Sequence, residues 1–244
     1  MSSDDEQPRL AALSPSALFW RARRAEPERF LHRVRRAVLI ARTRALAAWY
    51  RADVELDLDP SIKLGKDVRI EVFPHARGRL RVGPGVRFDH RVSIRLNGGQ
   101  VDVGPRCHLR NDVVLNVTGH LELVEGNIFS WGCALHCAES VRFEPLASAA
   151  EHVTVADSTH YFTEPDAFFY DNTRTAPVVV GPNTWLCPKA TVTSGVTVGS
   201  HCIIGSNSVV IEDVPDGHLA SGVPARTRPI DLPWRRAVEE ATRG

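Results

Sequence analysis

The chain has 244 residues, enough for one sizeable core, and its 30 basic against 29 acidic residues leave a net charge of +1. That balance gives no electrostatic footprint for nucleic acid or another polyanion. Five cysteines without paired C-x-x-C spacing argue for core thiols rather than a disulfide framework, and no stretch approaches the roughly eighteen apolar residues of a membrane span.

Residues 1–13 read as a flexible tail, in which Asp4, Asp5 and Glu6 contradict a basic signal-peptide start; the expected location is cytoplasmic. Residues 14–53 form a basic helical segment with an expected start at Pro27. In it Phe30, Val34, Ala37, Val38, Ala41, Ala45, Ala48 and Trp49 share one face at spacings of three and four. Ten arginines between Arg21 and Arg51 face only Glu26 and Glu28. The apolar face is expected to cap the open edge of the following domain; residues 21–51 also suit peripheral contact with an anionic inner-membrane face.

From 54 to 212 the pattern changes. Val180, Leu186, Val192, Val198, Ile204 and Val210 are spaced by six, and small or β-branched residues follow each of the first five four positions later. A period of six excludes an amphipathic helix and predicts a mainly β solenoid, three hexads making one triangular coil of about eighteen residues. The beat also runs through Leu64 and Ile70, through Val82, Phe88 and Ile94, and, after a slip at Gly98 and Gly99, from Val103 to Leu121. Val124, Ser130 and His136 then continue it in one phase and Phe143, Ala149 and Val155 in another; polar residues at repeat points mark a candidate functional region. An eighteen-residue coil places Glu139 beneath Asp157 and His136 beneath Thr154.

Asp157-Ser158-Thr159-His160 opens an irregular loop, 157–177, which leaves the prism just after the repeat point Val155. Cys133, His136 and Cys137 have the right chemistry for a metal, but no second ligand pair follows at finger-like spacing, so no metal is expected.

Residues 185–226, WLCPKATVTSGVTVGSHCIIGSNSVVIEDVPDGHLASGVPAR, resemble the closing segment of the hexapeptide-repeat acyltransferases, the group that includes maltose, galactoside, xenobiotic and polysaccharide O-acetyltransferases. The corresponding steps are Trp185-Leu186-Cys187, Ser194 to Gly199, Gly205 to Val210, Asp213-Val214-Pro215 and Gly222 to Arg226. The resemblance implies a left-handed parallel β-helix, a homotrimer with active sites between subunits, and acetyl-CoA as co-substrate. It makes His160 the catalytic base, suited by an ordinary imidazole pKa of about 6.5 to deprotonate an attacking hydroxyl, with Asp157 as a candidate to orient the ring or simply a turn former.

Coenzyme contacts are expected near Ser194, Ser206 and Arg226, with Trp185 stacking on pantetheine or sugar, or packing at a subunit boundary. Glu212 departs from the family's Thr-Lys and would repel a phosphate, with Arg228 as compensation. His136 and Glu151 are candidate acceptor-binding residues, set against a hydrogen-bonded core histidine and a solvated carboxylate. The expected reaction is O-acetylation of a sugar or polysaccharide hydroxyl. Acetylation of a xenobiotic, an antibiotic or an amino-sugar nitrogen, or a catalytically inactive scaffold, remains open. A carbonic anhydrase of this fold is excluded by the lack of an H-x4-H pair, and a nucleotidyltransferase by the lack of a glycine-rich phosphate loop. Beyond 213 an extension runs to 244, with a short helix expected from Pro233 carrying Trp234, Ala237, Val238 and Ala241.

Overall fold

The computed structural model describes residues 15–165 and 172–231, with helix side chains from Glu28 onward; the expected N-terminal tail and C-terminal helix lie outside these residues. The hexads wind into a left-handed parallel β-helix with three flat faces. Face A runs from Asp53–Leu58 to Thr197–Val198, face B from Lys63–Leu64 to Ile203–Ile204, and face C from Arg69–Val72 to Val209–Val210. Neighbouring strands on each face are parallel, so every coil hands its backbone groups to the next at the usual spacing of about 4.8 Å.

Alternation along each strand sends one residue into the prism and the next outward. Leu121, Leu123, Phe129, Leu135, Val141 and Phe143 are sealed from solvent, and Phe129 meets Phe143 edge to face at 4.8 Å. The corners turn through left-handed residues such as Asp112, His152 and Lys189. At the equivalent Gly132 (φ 68°) a side chain is also sterically barred, because a Cβ would sit 2.5 Å from the His152 ring.

The coils are not all eighteen residues long. On face A, Leu80 lies 24 residues beyond its partner Leu56, Val101 21 beyond Leu80, Leu121 and Val141 20 each, Val178 37, and only then Val198 18 beyond Val180. The extra two residues of a 20-residue coil sit at the corner between faces C and A and shift the phase. The inward residues are therefore Leu123, Phe129 and Leu135, not Val124, Ser130 and His136, and the repeat points there are apolar, with Asn127 and Ser130 buried beside them. Likewise His136 stacks beneath Ala156, and Thr154 lies above Ala134.

A helix, Pro15–Tyr50, packs across all three strands of the first coil. It begins well before Pro27; Pro15 takes the first position, where a missing N–H costs nothing. It caps the open edge as expected, but with the opposite face. Leu39, Thr43 and Ala47 are buried, whereas Phe30, Val34, Val38 and Trp49 are exposed. The reason is hydrogen bonding: the first coil ends in unpaired backbone groups, which an apolar stripe cannot satisfy. Arg35 donates to the Leu64 carbonyl at 2.9 Å, Arg36 to the Leu58 carbonyl at 3.0 Å, and the Leu64 amide donates to His32 Nδ1 at 3.1 Å.

The far end closes differently. Asp213 Oδ1 accepts the Thr197 amide and Asp216 Oδ1 the Ser200 amide, both at 2.7 Å, and the antiparallel hairpin His218–Gly222/Ala225–Pro229 continues face B.

This docking face makes adjacent residues behave oppositely. Leu39→Ala is expected to cost about 2–3 kcal/mol of stability, and Val38→Ala less than about 0.5 kcal/mol, read as melting temperatures by scanning calorimetry.

Candidate active site

Strand Thr154–Ala156 ends on face C, and where the chain should turn onto face A it leaves as an antiparallel hairpin, Ser158–His160 paired with Thr173–Thr175. That departure removes the coil that should lie above Ala138, Glu139 and Ser140. One coil lower, the amides of Thr118 and Gly119 donate to the Cys137 carbonyl and that of His120 to the Glu139 carbonyl. Here the carboxylate of Asp157 takes over: Oδ1 accepts the Ala138 amide at 2.7 Å, and Oδ2 accepts those of Glu139 and Ser140 at 2.8 Å each. Asp157 is fully buried, so three charge-assisted bonds replace its lost hydration. Asp157 thus reaches Glu139 through backbone amides rather than by stacking.

Ser194 locks the other side of the hairpin's base. Its hydroxyl donates to the Asp157 carbonyl at 2.8 Å, and the Asp157 carbonyl also accepts the Ala176 amide at 2.9 Å. On this base stands His160, exposed, with Nδ1 3.4 Å from Oγ1 of its register partner Thr173. Arg174 lies over the Tyr161 ring at 4.8 Å, and the Tyr161 amide donates to the Asn172 carbonyl at 3.2 Å, carrying the hairpin outward.

His136 lies exposed on face C beside the same corner. Its carbonyl accepts the Asp157 amide at 3.2 Å, and its Nδ1 is 3.5 Å from Asn116 Nδ2 one coil below. It is therefore a surface histidine and not a core one. Strand alternation turns His136 away from Cys133 and Cys137, which are buried in the core, so these three do not converge. Burial raises the Cys107 and Cys133 thiols to about 11, and burial with the nearby Asp157 carboxylate raises Cys137 to about 12.

The remaining predicted residues lie elsewhere on the prism. Trp185 projects half-exposed from face B between Ser148 and Ile203, and Arg226 is exposed on the closing hairpin opposite Ser221. Ser206 is exposed at the corner between faces B and C. Glu151, at that same corner, accepts the Ser130 hydroxyl at 2.8 Å; its own amide and that hydroxyl hold its carboxyl below the usual range. One chain thus gathers Asp157, Ser194, His136 and His160, and places Trp185, Arg226, Ser206 and Glu151 away from them. Asn116 and the locking role of Ser194 had no signal under an eighteen-residue stride; a stride of twenty would have aligned Asn116 with His136.

The site is thus one corner of a three-faced β-helix, interrupted there by a histidine-bearing hairpin. Residues 177–212 match the repeat family described as "Bacterial transferase hexapeptide (six repeats)". A protein of Mycobacterium tuberculosis described as a probable acetyltransferase is 26% identical over 178 residues, covering 72% of this chain and 53% of that one. The galactoside O-acetyltransferase of Escherichia coli is 38% identical over 50 residues, 20% of this chain and 25% of the relative. The chain thus spans about half the length, or less, of these curated relatives. Among solved structures, a point mutant of AntD, an N-acyltransferase from Bacillus cereus in complex with dTDP-4-amino-4,6-dideoxyglucose and coenzyme A, superposes with TM-score 0.50 at 17% identity. That match covers 77% of this chain and 89% of AntD, a likeness of fold.

Two outcomes follow from this corner. Asp157→Ala leaves three amides without acceptors and is expected to cost about 3 kcal/mol, a fall in melting temperature of roughly 6–12 °C. Iodoacetamide at pH 8 is expected to modify only Cys187, the half-buried thiol, in the native protein and all five cysteines after denaturation, as counted by mass spectrometry.

Proposed function

We propose that the protein is an acyltransferase that moves the acetyl group of acetyl-CoA to a sugar or polysaccharide hydroxyl, with His160 as general base. The observation that carries this reading is an exposed imidazole on a hairpin whose base is fixed by Asp157 and Ser194. The transferase repeat and the names of the relatives support the reaction class. In the proposed step the imidazole takes the hydroxyl proton as the oxygen attacks the thioester carbonyl. The tetrahedral intermediate then collapses, the C–S bond breaks, and the thiolate leaves with the proton returned by the imidazolium. Asp157 acts here as a positioning residue: it holds the hairpin, and its carboxylate oxygens are taken by backbone amides.

The coenzyme is assigned to the closing segment, where Arg226 and Arg228 are exposed at alternate positions of one strand and so point to one side, as phosphate recognition requires. Glu212 is exposed as well and opposes that attraction. The separation of His160 from Trp185, Ser206 and Arg226 supports a homotrimer in which the corner of one copy meets face B of the next. Ile128, Trp185 and Ile203 offer such a copy an exposed apolar column, interrupted only by Ser148.

His160→Ala is expected to lower the transfer rate by two to four orders of magnitude while melting temperature and thermal protection by acetyl-CoA stay as in the wild type. The assay uses labelled acetyl-CoA with a panel of nucleotide sugars, oligosaccharides and aminoglycosides. Undiminished turnover in the variant would remove the base from the mechanism, and an aminoglycoside as the sole acceptor would replace the sugar hydroxyl.

A further inference from the structure

The helix that seals the first coil docks through Leu39, Thr43 and Ala47, with Ile40 packed beside them and His32, Arg35 and Arg36 bonded to the coil, and it leaves a second apolar stripe facing out. At 100° per residue, the exposed stripe of Phe30, Val34, Val38, Ala41, Ala45 and Trp49 is centred roughly 170° from the buried line of Leu39, Thr43 and Ala47. Phe30 is 65%, Val38 59% and Trp49 82% exposed, far more than a helix face resting on its own domain would show. Arginines rim this stripe, Arg33 and Arg44 on one side and Arg42 on the other, all exposed, with Arg51 just beyond the helix end. From Arg29 to Ala52 the chain has no acidic residue.

We propose that this face lies on an anionic lipid surface, with the apolar stripe at the acyl boundary and the arginine rim among phosphate headgroups. Charge complementarity selects this occupant. A second copy of the same helix face would bring one arginine rim against another, whereas an anionic bilayer neutralises both rims and buries the stripe. The clefts flanking the helix supply more cations of the same sign. One, of about 440 Å³, is lined by Arg29, Lys63, Arg87 and His90 together with Glu28 and Asp89. Arg87 and Asp89 pair with each other at 2.7 Å and so cancel, Asp89 also meeting His108 at 2.9 Å, which leaves Arg29 and Lys63 against Glu28. The other, of about 370 Å³, holds Arg42 and Lys66 with Asp67. No helix among the described residues is long and apolar enough to cross a bilayer, so the proposed contact is in the plane of the surface. The proposal is independent of the acyl-transfer reading.

The full chain is tested by co-sedimentation with vesicles of phosphatidylcholine alone and of phosphatidylcholine with phosphatidylglycerol, at low and high salt. Binding to the anionic vesicles is expected to be at least tenfold tighter than to the neutral ones, and to weaken at least tenfold in the triple variant Phe30→Ser/Val38→Ser/Trp49→Ser. Acyl transfer and solution mass should not change. Brominated lipid is expected to quench a part of the wild-type tryptophan emission that Trp49→Phe lacks, which decides the point even if the triple variant folds poorly. Equal sedimentation with both vesicles, no Trp49 quenching, or a triple variant whose change is in solution mass instead of lipid binding would overturn the proposal, the last pointing to a second copy as the occupant.

Discussion

A parallel β-helix satisfies its backbone only by handing each amide and carbonyl to the coil above or below, and it therefore fails wherever a coil is missing. The described residues have three such places, and side chains repair each one. At the first coil, His32, Arg35 and Arg36 of the helix bond to Leu58 and Leu64. At the last, Asp213 and Asp216 accept the amides of Thr197 and Ser200. At the interruption, Asp157 accepts three amides alone. The donors and acceptors are matched to the exposed groups: guanidinium groups meet free carbonyls, while the imidazole nitrogen and the carboxylates meet free amides.

That constraint also explains which parts of the fold can be read from the residues. The hexads from Val180 to Val210 announce themselves because those coils have the minimal length. Upstream, two or more extra residues at one corner leave the local six-residue beat intact but shift its phase between coils. A fixed stride then puts Ser130 and His136 at core positions, while Phe129 and Leu135 are the residues that fill them. The helix is legible as an amphipathic stripe but not as to its direction. Hydrophobic periodicity shows that an apolar stripe exists but not that it docks; the side that does dock carries Leu39, Ile40 and Ala47 together with the hydrogen-bonding groups of His32, Arg35 and Arg36 that a solenoid end needs.

The site is legible in part for the same reason. His160 stands out as a histidine where the repeat stops, a feature that needs no coil count. Asp157 can be seen only as a turn former or a ring-orienting carboxylate, because its actual partners are backbone amides of the preceding coil, invisible without the 20-residue stride. The stride also decides which face each outward residue occupies. Trp185 and Ser194 are nine residues apart in sequence, yet one lies on face B and the other at the corner between faces C and A.

An interruption is also the natural place in this architecture for a group that must reach another molecule. Regular coils present outward side chains on flat faces at fixed spacing, so nothing on them extends beyond the prism by more than its own length. A hairpin ejected at a corner escapes that lattice, but an ejected segment alone would not hold an imidazole in one place. The buried carboxylate converts the cost of the missing coil into an anchor: the same three amides that the departure leaves unpaired are the ones that fix Asp157, and through it the strand that carries His160 three residues later. Removing the hairpin without restoring a coil would strand those amides, and keeping the hairpin without the Asp157 carboxylate would leave its base held on the Ser194 side alone. Asp157 therefore serves both stability at this corner and the placement of the histidine, its carboxylate holding the prism side and its carbonyl, bonded by Ser194 and Ala176, the hairpin side.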